Sequence, residues 1–231
     1  MNWFDKIVLT LKKQKYKRRH SRISFSQEGE DMVLAELLSE RTNGTYVDLG
    51  AYHPLKFSNT YHFYLRGWKG INIEARPQSM ELFKLYRPRD INLEIAVSDT
   101  KQDLLYYMFD EPALNGFIED LSKTRDTNSN FNIISTTKIS TLPLCEILDK
   151  YLSPGQQIDF MSIDVEGMDY KVLLSNNWTK YRPQYVLVED IHSTTLEDSI
   201  TSETAIFLKQ QNYALICRTQ RTLFFKNLSQ A

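Results

Sequence analysis

Acidic residues follow the apolar stretches of this sequence at the points where strands are predicted to end. Along the chain they are Asp48, Glu74, Asp99, Asp164 with Glu166, and Glu189 with Asp190. In an open parallel sheet the carboxyl ends of the strands lie at one edge, and ligands bind beyond that edge. Because carboxylates are costly to bury without partners, the pattern predicts a ligand that brings hydrogen-bond donors or positive charge.

The first of these strand ends lies in the stretch TYVDLGAYHP, where Gly50 allows a ligand to approach the backbone closely. Glu74 follows Asp48 by 26 residues, at the end of the next strand. From that position an acidic side chain binds the ribose hydroxyls of a nucleotide. The GxGxxG pattern that cradles a pyrophosphate is absent, because AYH follows Gly50. The residues therefore favour a nucleoside with a cationic group, S-adenosylmethionine, over NAD.

The elements that must position these residues alternate between strand and helix. Strands are predicted at TYVDLGA, KGINIEA, INLEIAVSD, IDFMSIDVEG and QYVLVEDI, with helices between them and a short extra strand at DLLYYMF. Such alternation predicts a mostly parallel sheet covered by helices on both faces. The last two strands, YALICRT and TLFFKN, are separated by Gln220 and Arg221 alone, so they must be antiparallel. The polar, turn-rich segment 110–136 is predicted to be a long loop or lid.

Composition indicates one globular domain. The 231 residues are 42% hydrophobic and 25% charged, with a net charge of −1. Cys145 and Cys217 show neither metal-ligand nor disulfide spacing, which fits a reducing compartment. No apolar run approaches the ~18 residues of a membrane span, and the N-terminal residues lack the pattern of a secretory signal. We expect a cytoplasmic protein with a single domain over residues 23–231.

Residues 1–22 differ from the rest of the chain in charge. They carry eight Lys or Arg and one Asp, a net charge of +7, so the remainder sums to −8. Apolar residues recur there at helical spacing, at Trp3, Phe4, Ile7, Val8 and Leu11. The segment is predicted to be a basic amphipathic helix, either in peripheral contact with an anionic membrane or simply solvated. The acidic remainder disfavours a nucleic-acid partner.

Five stretches of the sequence together resemble the FkbM-type S-adenosylmethionine-dependent methyltransferases. They are SQEGED, YVDLGAYHP, SNTYHFYLRGWKGINIEARP, EIAVSD and IDFMSIDVEGMDYKVL, and they run from about Ser24 toward Asp190. The resemblance implies the class I methyltransferase fold, a Rossmann-like, seven-stranded, mostly parallel sheet with helices on both faces and an antiparallel C-terminal strand. It also implies O-methylation of a hydroxyl on a sugar, a glycan precursor or a related small molecule.

The same resemblance implies a set of cofactor-binding residues. Glu74 would bind the ribose of S-adenosylmethionine, and the adenine would lie near Ala75, Arg76, Ala96, Val97 and Ser98. The remaining cofactor contacts would come from Asp48, Gly50, Ala51 and Asn59.

Methyl transfer to a hydroxyl also needs alignment of the two reactants and a group that takes the hydroxyl proton. The candidate bases at the predicted sheet edge are His53, Asp164, Glu166 and His192. Asp164, Glu189 and Asp190 are candidate ligands of a divalent cation such as Mg²⁺, which would lower the pKa of the acceptor hydroxyl. Each role has a plainer alternative: His53 caps a turn at Pro54, and the acids only hold loop amides or the amino group of the cofactor.

Two other functions stay open on the sequence alone. One is an NAD-dependent oxidoreductase on a Rossmann-like sheet, which the missing GxGxxG pattern and the C-terminal hairpin disfavour. The other is a membrane-docked nucleotide-binding module without catalysis, which would rely on residues 1–22. The intact set of Asp48, Gly50 and Glu74 favours an enzyme over such a module.

Overall fold

The computed structural model describes residues 3–128 and 130–229, without the side chains of residues 17–19 and 128. The strands are β1 Thr45–Leu49, β2 Lys69–Glu74, β3 Ile91–Glu94, β4 Ala96–Val97, β5 Asp103–Phe109, β6 Ile133–Leu142, β7 Phe160–Ile163, β8 Tyr185–Glu189, β9 Tyr213–Arg218 and β10 Thr222–Asn227. The α-helices are α1 Trp3–His20, α2 Glu30–Leu37, α3 Tyr61–Leu65, α4 Met80–Tyr86, α5 Glu119–Asn128, α6 Leu144–Tyr151, α7 Asp169–Leu174, α8 Leu196–Thr201 and α9 Glu203–Gln210. A single 3₁₀ turn covers Pro112–Leu114.

Seven strands form the main sheet, in the order β3-β2-β1-β7-β8-β10-β9. The strands from β3 to β8 pair in parallel, whereas β10 is antiparallel to both β8 and β9. The predicted mostly parallel sheet with an antiparallel last strand is therefore confirmed. The carboxyl ends of β1, β2, β7 and β8 lie side by side, as the acidic strand ends required.

Both faces of the sheet are buried, because apolar residues occupy consecutive positions of its central strands. Val47 and Leu49 of β1 point into one cluster, which packs under α6, α7 and α9. Tyr46 points into a second cluster on the opposite face, beneath α2 and α3. Trp68 lies in this second cluster, with no exposed surface.

A second sheet of three strands, in the order β4-β6-β5, corrects the prediction for segment 110–136. That segment was expected to be a long loop or lid, and it is not a plain loop, because it contains the 3₁₀ turn, α5 and the start of β6. Its polar composition misled the prediction because β6 pairs with β5 from Ile133 to Ser140 while half of its own side chains are exposed. The apolar residues of the pair come mainly from β5, where Tyr106, Tyr107 and Phe109 are buried. The predicted third strand, INLEIAVSD, is divided at Ile95 into β3 and β4, which belong to different sheets.

Helix α1 forms where the spacing of its apolar residues predicted a helix. Across the residues that the structure describes, no helix is both long and apolar enough to span a bilayer.

Candidate active site

A cavity of about 450 Å³ opens at the carboxyl ends of the central strands. Its floor includes Gly50, Glu74, Val97, Asp164 and Glu189. Residues 112–117 and Arg125, which belong to the segment between β5 and β6, cover it, and Gln27 and Arg221 stand on its wall. A volume of this size is typical of sites for small molecules and cofactors.

Gly50 brings the ends of three strands together. Its φ of +75° lies in the left-handed region, and a Cβ at this position would collide with the backbone carbonyl of Asp164. The backbone N–H groups of Gly50 and Ala51 donate to the carbonyl of Ile73 at 2.9 and 3.1 Å. Only glycine satisfies both the backbone conformation and the close approach. Consequently Glu74 and Asp164 stand on either side of the turn that follows β1.

Glu74 is fixed at the cavity wall by two backbone donors. Its carboxylate accepts hydrogen bonds from the N–H of Tyr52 at 2.9 Å and from the N–H of Arg76 at 2.9 Å. Apolar side chains beside it, Ile73, Ile95 and Val97, form the adjoining wall. A fixed carboxylate next to an apolar slot is the arrangement that binds a ribose and a flat base.

Asp48 lies behind the cavity and is not part of its wall. Its Oδ2 accepts a hydrogen bond from the hydroxyl of Thr60 at 2.7 Å. Burial raises the pKa of Asp48 to about 6, against the opposing effects of the Thr60 hydrogen bond and the charge of Arg87. The acid is therefore mostly ionised at neutral pH, and the Thr60 hydroxyl links it to Arg87 behind the cavity.

Arg87 organises the group around Asp48. It is fully buried, and its guanidinium donates to Thr60 Oγ1 at 2.9 Å, to the Tyr46 hydroxyl at 2.7 Å and to Asp90 at 2.9 Å. Sequence reasoning missed this network, because LYRPRD reads as a polar turn after a helix. Nothing in the local pattern indicates that the arginine turns inward.

Asp164 and Glu189 form a coupled pair of carboxyls in the cavity. They are hydrogen-bonded to each other, and burial is the main cause that raises the pKa of each, that of Glu189 to about 8. Within the described residues neither of them forms an ion pair. Two close carboxyls without a cation cannot both ionise easily, so the pair shares a proton near neutral pH.

Glu166 forms an ion pair, whereas Asp164 and Glu189 form none among the described residues. Its carboxylate lies 2.6 Å from the guanidinium of Arg125, which extends from α5 and also donates to the carbonyl of Leu114. Burial raises the pKa of Glu166, while Arg125 opposes that effect. The ion pair ties the cover of the cavity to the end of β7. Arg125 was missed because its segment was predicted to be a loop.

The segment SQEGED is fastened to the C-terminal hairpin. Glu28 accepts from the backbone N–H of Arg221 at 2.9 Å and pairs with its guanidinium at 3.3 Å. Glu30 accepts from the hydroxyls of Thr219 and Thr222 at 3.3 and 3.2 Å. These contacts hold Gln27, an exposed amide, on the wall of the cavity. Only the resemblance indicated that this stretch contributes to the site, because its residues alone do not predict where in the fold it lies.

The structure brings seven of the predicted site residues together on the cavity wall. They are Gly50, Glu74, Ala75, Val97, Asp164, Glu166 and Glu189. Others lie behind the wall. Ala51, Ala96 and Ser98 are buried, and Asn59 donates to the Ser162 hydroxyl at 2.9 Å. Arg76 contributes its backbone N–H to Glu74, and its side chain donates to the carbonyl of Tyr52 at 3.4 Å.

Neither predicted histidine lines the cavity. The Nδ1 of His53 accepts from the backbone N–H groups of Leu55 and Lys56, both at 3.1 Å, so the ring caps the turn at Pro54. Burial lowers the pKa of His53. His192 is exposed, and its backbone N–H donates to Asp190 at 3.3 Å. As bases, both histidines stay predictions that this arrangement does not favour.

The three predicted metal ligands do not converge. Asp190 is turned toward its own loop, where its Oδ1 accepts from the N–H groups of His192 and Ser193. Across the described part of the chain there is no cluster of three or more His, Cys, Asp or Glu suited to a metal ion. Asp164 and Glu189 are the two that remain adjacent.

Residues 48–215, well over half of the chain, match the methyltransferase FkbM domain. The chain belongs to the FkbM methyltransferase family. Together with the sheet order, this identifies the fold as the class I methyltransferase fold predicted from the sequence. The cavity, at the strand ends of that fold, is therefore the candidate functional site of the chain.

One solved structure was also found to be similar to this chain. The crystal structure of methyltransferase FkbM from Methylobacillus flagellatus KT aligns with a TM-score of 0.48 at 11% sequence identity. The alignment covers 80% of this chain and 44% of that protein, so this chain spans less than half the length of that relative. No curated protein matches the chain.

Proposed function

We propose that this protein transfers a methyl group from S-adenosylmethionine to a hydroxyl of a sugar, a glycan precursor or a related small molecule. One observation carries the proposal. A single cavity has a backbone-fixed carboxylate, Glu74, beside an apolar slot, and a proton-sharing carboxyl pair, Asp164 with Glu189, beyond Gly50.

The residues of the cavity fit S-adenosylmethionine. Glu74 keeps acceptor capacity for ribose hydroxyls after its two backbone hydrogen bonds, since an ionised carboxylate has about four acceptor sites. Ile73, Ile95 and Val97 provide an apolar slot for a base. The negative charge of the floor suits a ligand that carries an amine and a sulfonium. When bound, this cofactor supplies an electrophilic methyl group on a positively charged sulfur.

The chain itself must then orient the acceptor hydroxyl and remove its proton. Asp164 and Glu189 are placed for the second task, because the carboxyl pair holds one proton and leaves an ionised oxygen as acceptor. A base is most effective when its pKa lies near the working pH, and burial has moved that of Glu189 to about 8. Residues 112–117 cover this end of the cavity and limit the access of water to it.

The first test is binding of the cofactor. S-adenosylmethionine or its demethylated product is expected to raise the melting temperature of the protein, since a ligand at about a hundred times its Kd stabilises the folded state by ~2.7 kcal/mol. Glu74→Gln should abolish that shift. Glu94→Gln is the matched control, because Glu94 ends the neighbouring strand in register with Glu74 but is exposed and outside the cavity wall.

Two results would overturn the proposal. One is the absence of a shift with the wild-type protein. The other is a shift, or a change in nicotinamide fluorescence, with NADH instead, which would indicate the oxidoreductase alternative. If the cofactor binds, transfer of labelled methyl groups to a panel of monosaccharides and nucleotide sugars would identify the acceptor class.

A divalent cation such as Mg²⁺ stays a further prediction for Asp164 and Glu189. It would replace the shared proton of the pair and draw the acceptor hydroxyl toward the floor of the cavity. Methyl transfer measured with EDTA, and then with Mg²⁺ added back, decides whether the carboxyl pair works with a proton or with a cation.

A further inference from the structure

Helix α1 presents its apolar residues to solvent. The side chains of Trp3, Phe4 and Leu11 are 76%, 68% and 60% exposed, and Leu9 is 44% exposed. Among the described residues, none of these side chains belongs to a buried core cluster. An exposed patch of large apolar residues on a monomer usually marks a binding surface.

The exposed apolar residues form a stripe on one side of α1. Trp3, Phe4, Ile7, Val8 and Leu11 recur at intervals of one, three, one and three residues, which places them on one face over the first three turns. The following turns are basic, with Lys12, Lys13 and Lys15 before the end of the helix. Apolar and basic parts therefore follow each other along a single helix of about 27 Å, at 1.5 Å per residue.

We infer that α1 is a membrane-docking surface that lies in the headgroup region of an anionic bilayer, with the Trp3 and Phe4 end inserted among the acyl chains. An anionic bilayer complements both parts of the helix, because its interior takes the apolar stripe and its phosphates attract the lysines. Residues 1–22 carry +7 and the remainder of the chain −8, so an anionic surface attracts the helix and repels the body. This inference does not depend on the proposed methyl transfer.

A nucleic acid would use only half of these features. Its phosphates attract the lysines, but Trp3, Phe4, Ile7, Val8 and Leu11 would have no partner along a duplex backbone. The two partners therefore differ in which residues they need. A bilayer needs the apolar stripe as well as the charge, whereas a duplex needs the charge alone.

The test is sedimentation of the full-length protein with phosphatidylcholine vesicles, prepared with and without phosphatidylglycerol. Binding should be at least about tenfold stronger to the anionic vesicles and should weaken as salt is added. The double substitution Trp3→Ser with Phe4→Ser should reduce binding at least about tenfold without changing the charge. Ile206→Ser is the matched control, because Ile206 is 49% exposed on α9 and lies far along the chain from the helix.

Fluorescence gives a second readout. The chain has three tryptophans, and Trp68 and Trp178 are buried whereas Trp3 is exposed. Anionic vesicles should therefore shift the emission of Trp3 to shorter wavelength, and Trp3→Phe should remove that shift while vesicle binding is kept. Circular dichroism melting confirms that each variant is folded.

The inference is overturned if the double variant sediments like the wild-type protein, or if the Trp3 emission does not shift. It is also overturned if only a Lys12→Gln, Lys13→Gln and Lys15→Gln variant loses binding and a DNA duplex competes with the vesicles. That result would indicate a purely electrostatic, nucleic-acid-type contact.

Discussion

Two acidic regions at the sheet edge differ in how their negative charge is compensated. Asp48 has a hydroxyl donor in Thr60 and a buried guanidinium, Arg87, directly behind that donor. Asp164 and Glu189 are hydrogen-bonded to each other and, within the described residues, form no ion pair, although the charge of Arg125 lowers the pKa of Glu189 in part. Burial raises the pKa of Asp48 to about 6 and that of Glu189 to about 8.

In the proposed function this difference separates a supporting acid from a reactive pair. Near neutral pH Asp48 is mostly ionised, and the Thr60 hydroxyl and the charge of Arg87 compensate it. The pair still holds a proton at the same pH and can exchange it with a bound hydroxyl. The acidic residues at the strand ends look alike in the sequence, but their proposed roles differ. Four measurements test this difference.

The largest expected effect is on catalysis. Asp164→Asn keeps the shape of the side chain but removes one member of the proton-sharing pair, so methyl transfer should fall by roughly 10²–10⁴-fold. The stability of the folded protein should stay the same or rise, because the repulsion with Glu189 is gone. Transfer of labelled methyl groups and thermal melting measure the two effects. Asp120→Asn, on the exposed part of α5, is the control. Full activity in Asp164→Asn would remove the pair from the mechanism.

Arg87→Met should have the largest effect on stability. It leaves Asp90 buried without its cation and takes a donor from both Thr60 and Tyr46, and a broken buried ion pair costs about 3–5 kcal/mol. Urea denaturation measures the free energy of unfolding. Lys84→Met, which removes an exposed charge from α4, should change it little. Equal losses in the two variants would contradict the role given to the buried network.

Thr60→Val tests the donor to Asp48 alone. Valine has nearly the same shape, but it removes the hydroxyl that lies between Asp48 and Arg87, and an unsatisfied buried partner costs about 1–3 kcal/mol. Thr201→Val is matched to it, since Thr201 is exposed on α8 and its hydroxyl donates only to backbone carbonyls of its own helix. If both substitutions cost the same, the Thr60 hydrogen bond is not what compensates Asp48.

The most gradual effect is the dependence of stability on pH. The pKa of Glu189 rises from an ordinary 4.5 to about 8, so the folded protein keeps a proton that the unfolded chain has released between these values. The free energy of unfolding should therefore decrease as pH rises through this window, and Glu189 alone contributes at most about 1.4 kcal/mol per pH unit. Asp48 contributes only up to its pKa of about 6.

Glu189→Gln isolates the contribution of the pair. Denaturation at pH 6 and pH 8, the two pKa values given above, should show a shallower decline in this variant than in the wild-type protein. Glu197→Gln, at an exposed position of α8, should leave the decline unchanged. An identical decline in all three proteins would mean that the pair does not hold the proton.

The sheet and its acidic edge could be predicted from the sequence because both depend on local patterns. Runs such as YVLV indicate strands buried on two faces, and a glycine after an acid at a strand end indicates close backbone approach. For that reason the sequence alone predicts Gly50, Glu74 and Asp164 as site residues, and all three lie on the cavity wall.

The remainder of the site depends on contacts between distant parts of the chain. Arg87 reaches Tyr46, which is 41 residues away, and Arg125 reaches Glu166 at the same separation. Neither arginine stands in an apolar pattern, so no periodicity reports that it turns inward. His53 was predicted to be a base for a different reason. A histidine after a strand end can contact a ligand or accept hydrogen bonds from the neighbouring backbone, and the sequence does not distinguish the two.

The pairing of β4 with β6 gives the cover of the cavity an unusual attachment. Ala96 lies beside Thr141 and Val97 beside Leu142, so the intervening chain departs and returns at hydrogen-bonded neighbours. Residues 98–140 thus form an insertion with a closed base, and the strands that carry Gly50 and Glu74 do not fix its length or sequence. Under the proposed function, preference for one acceptor over another would reside in this insertion.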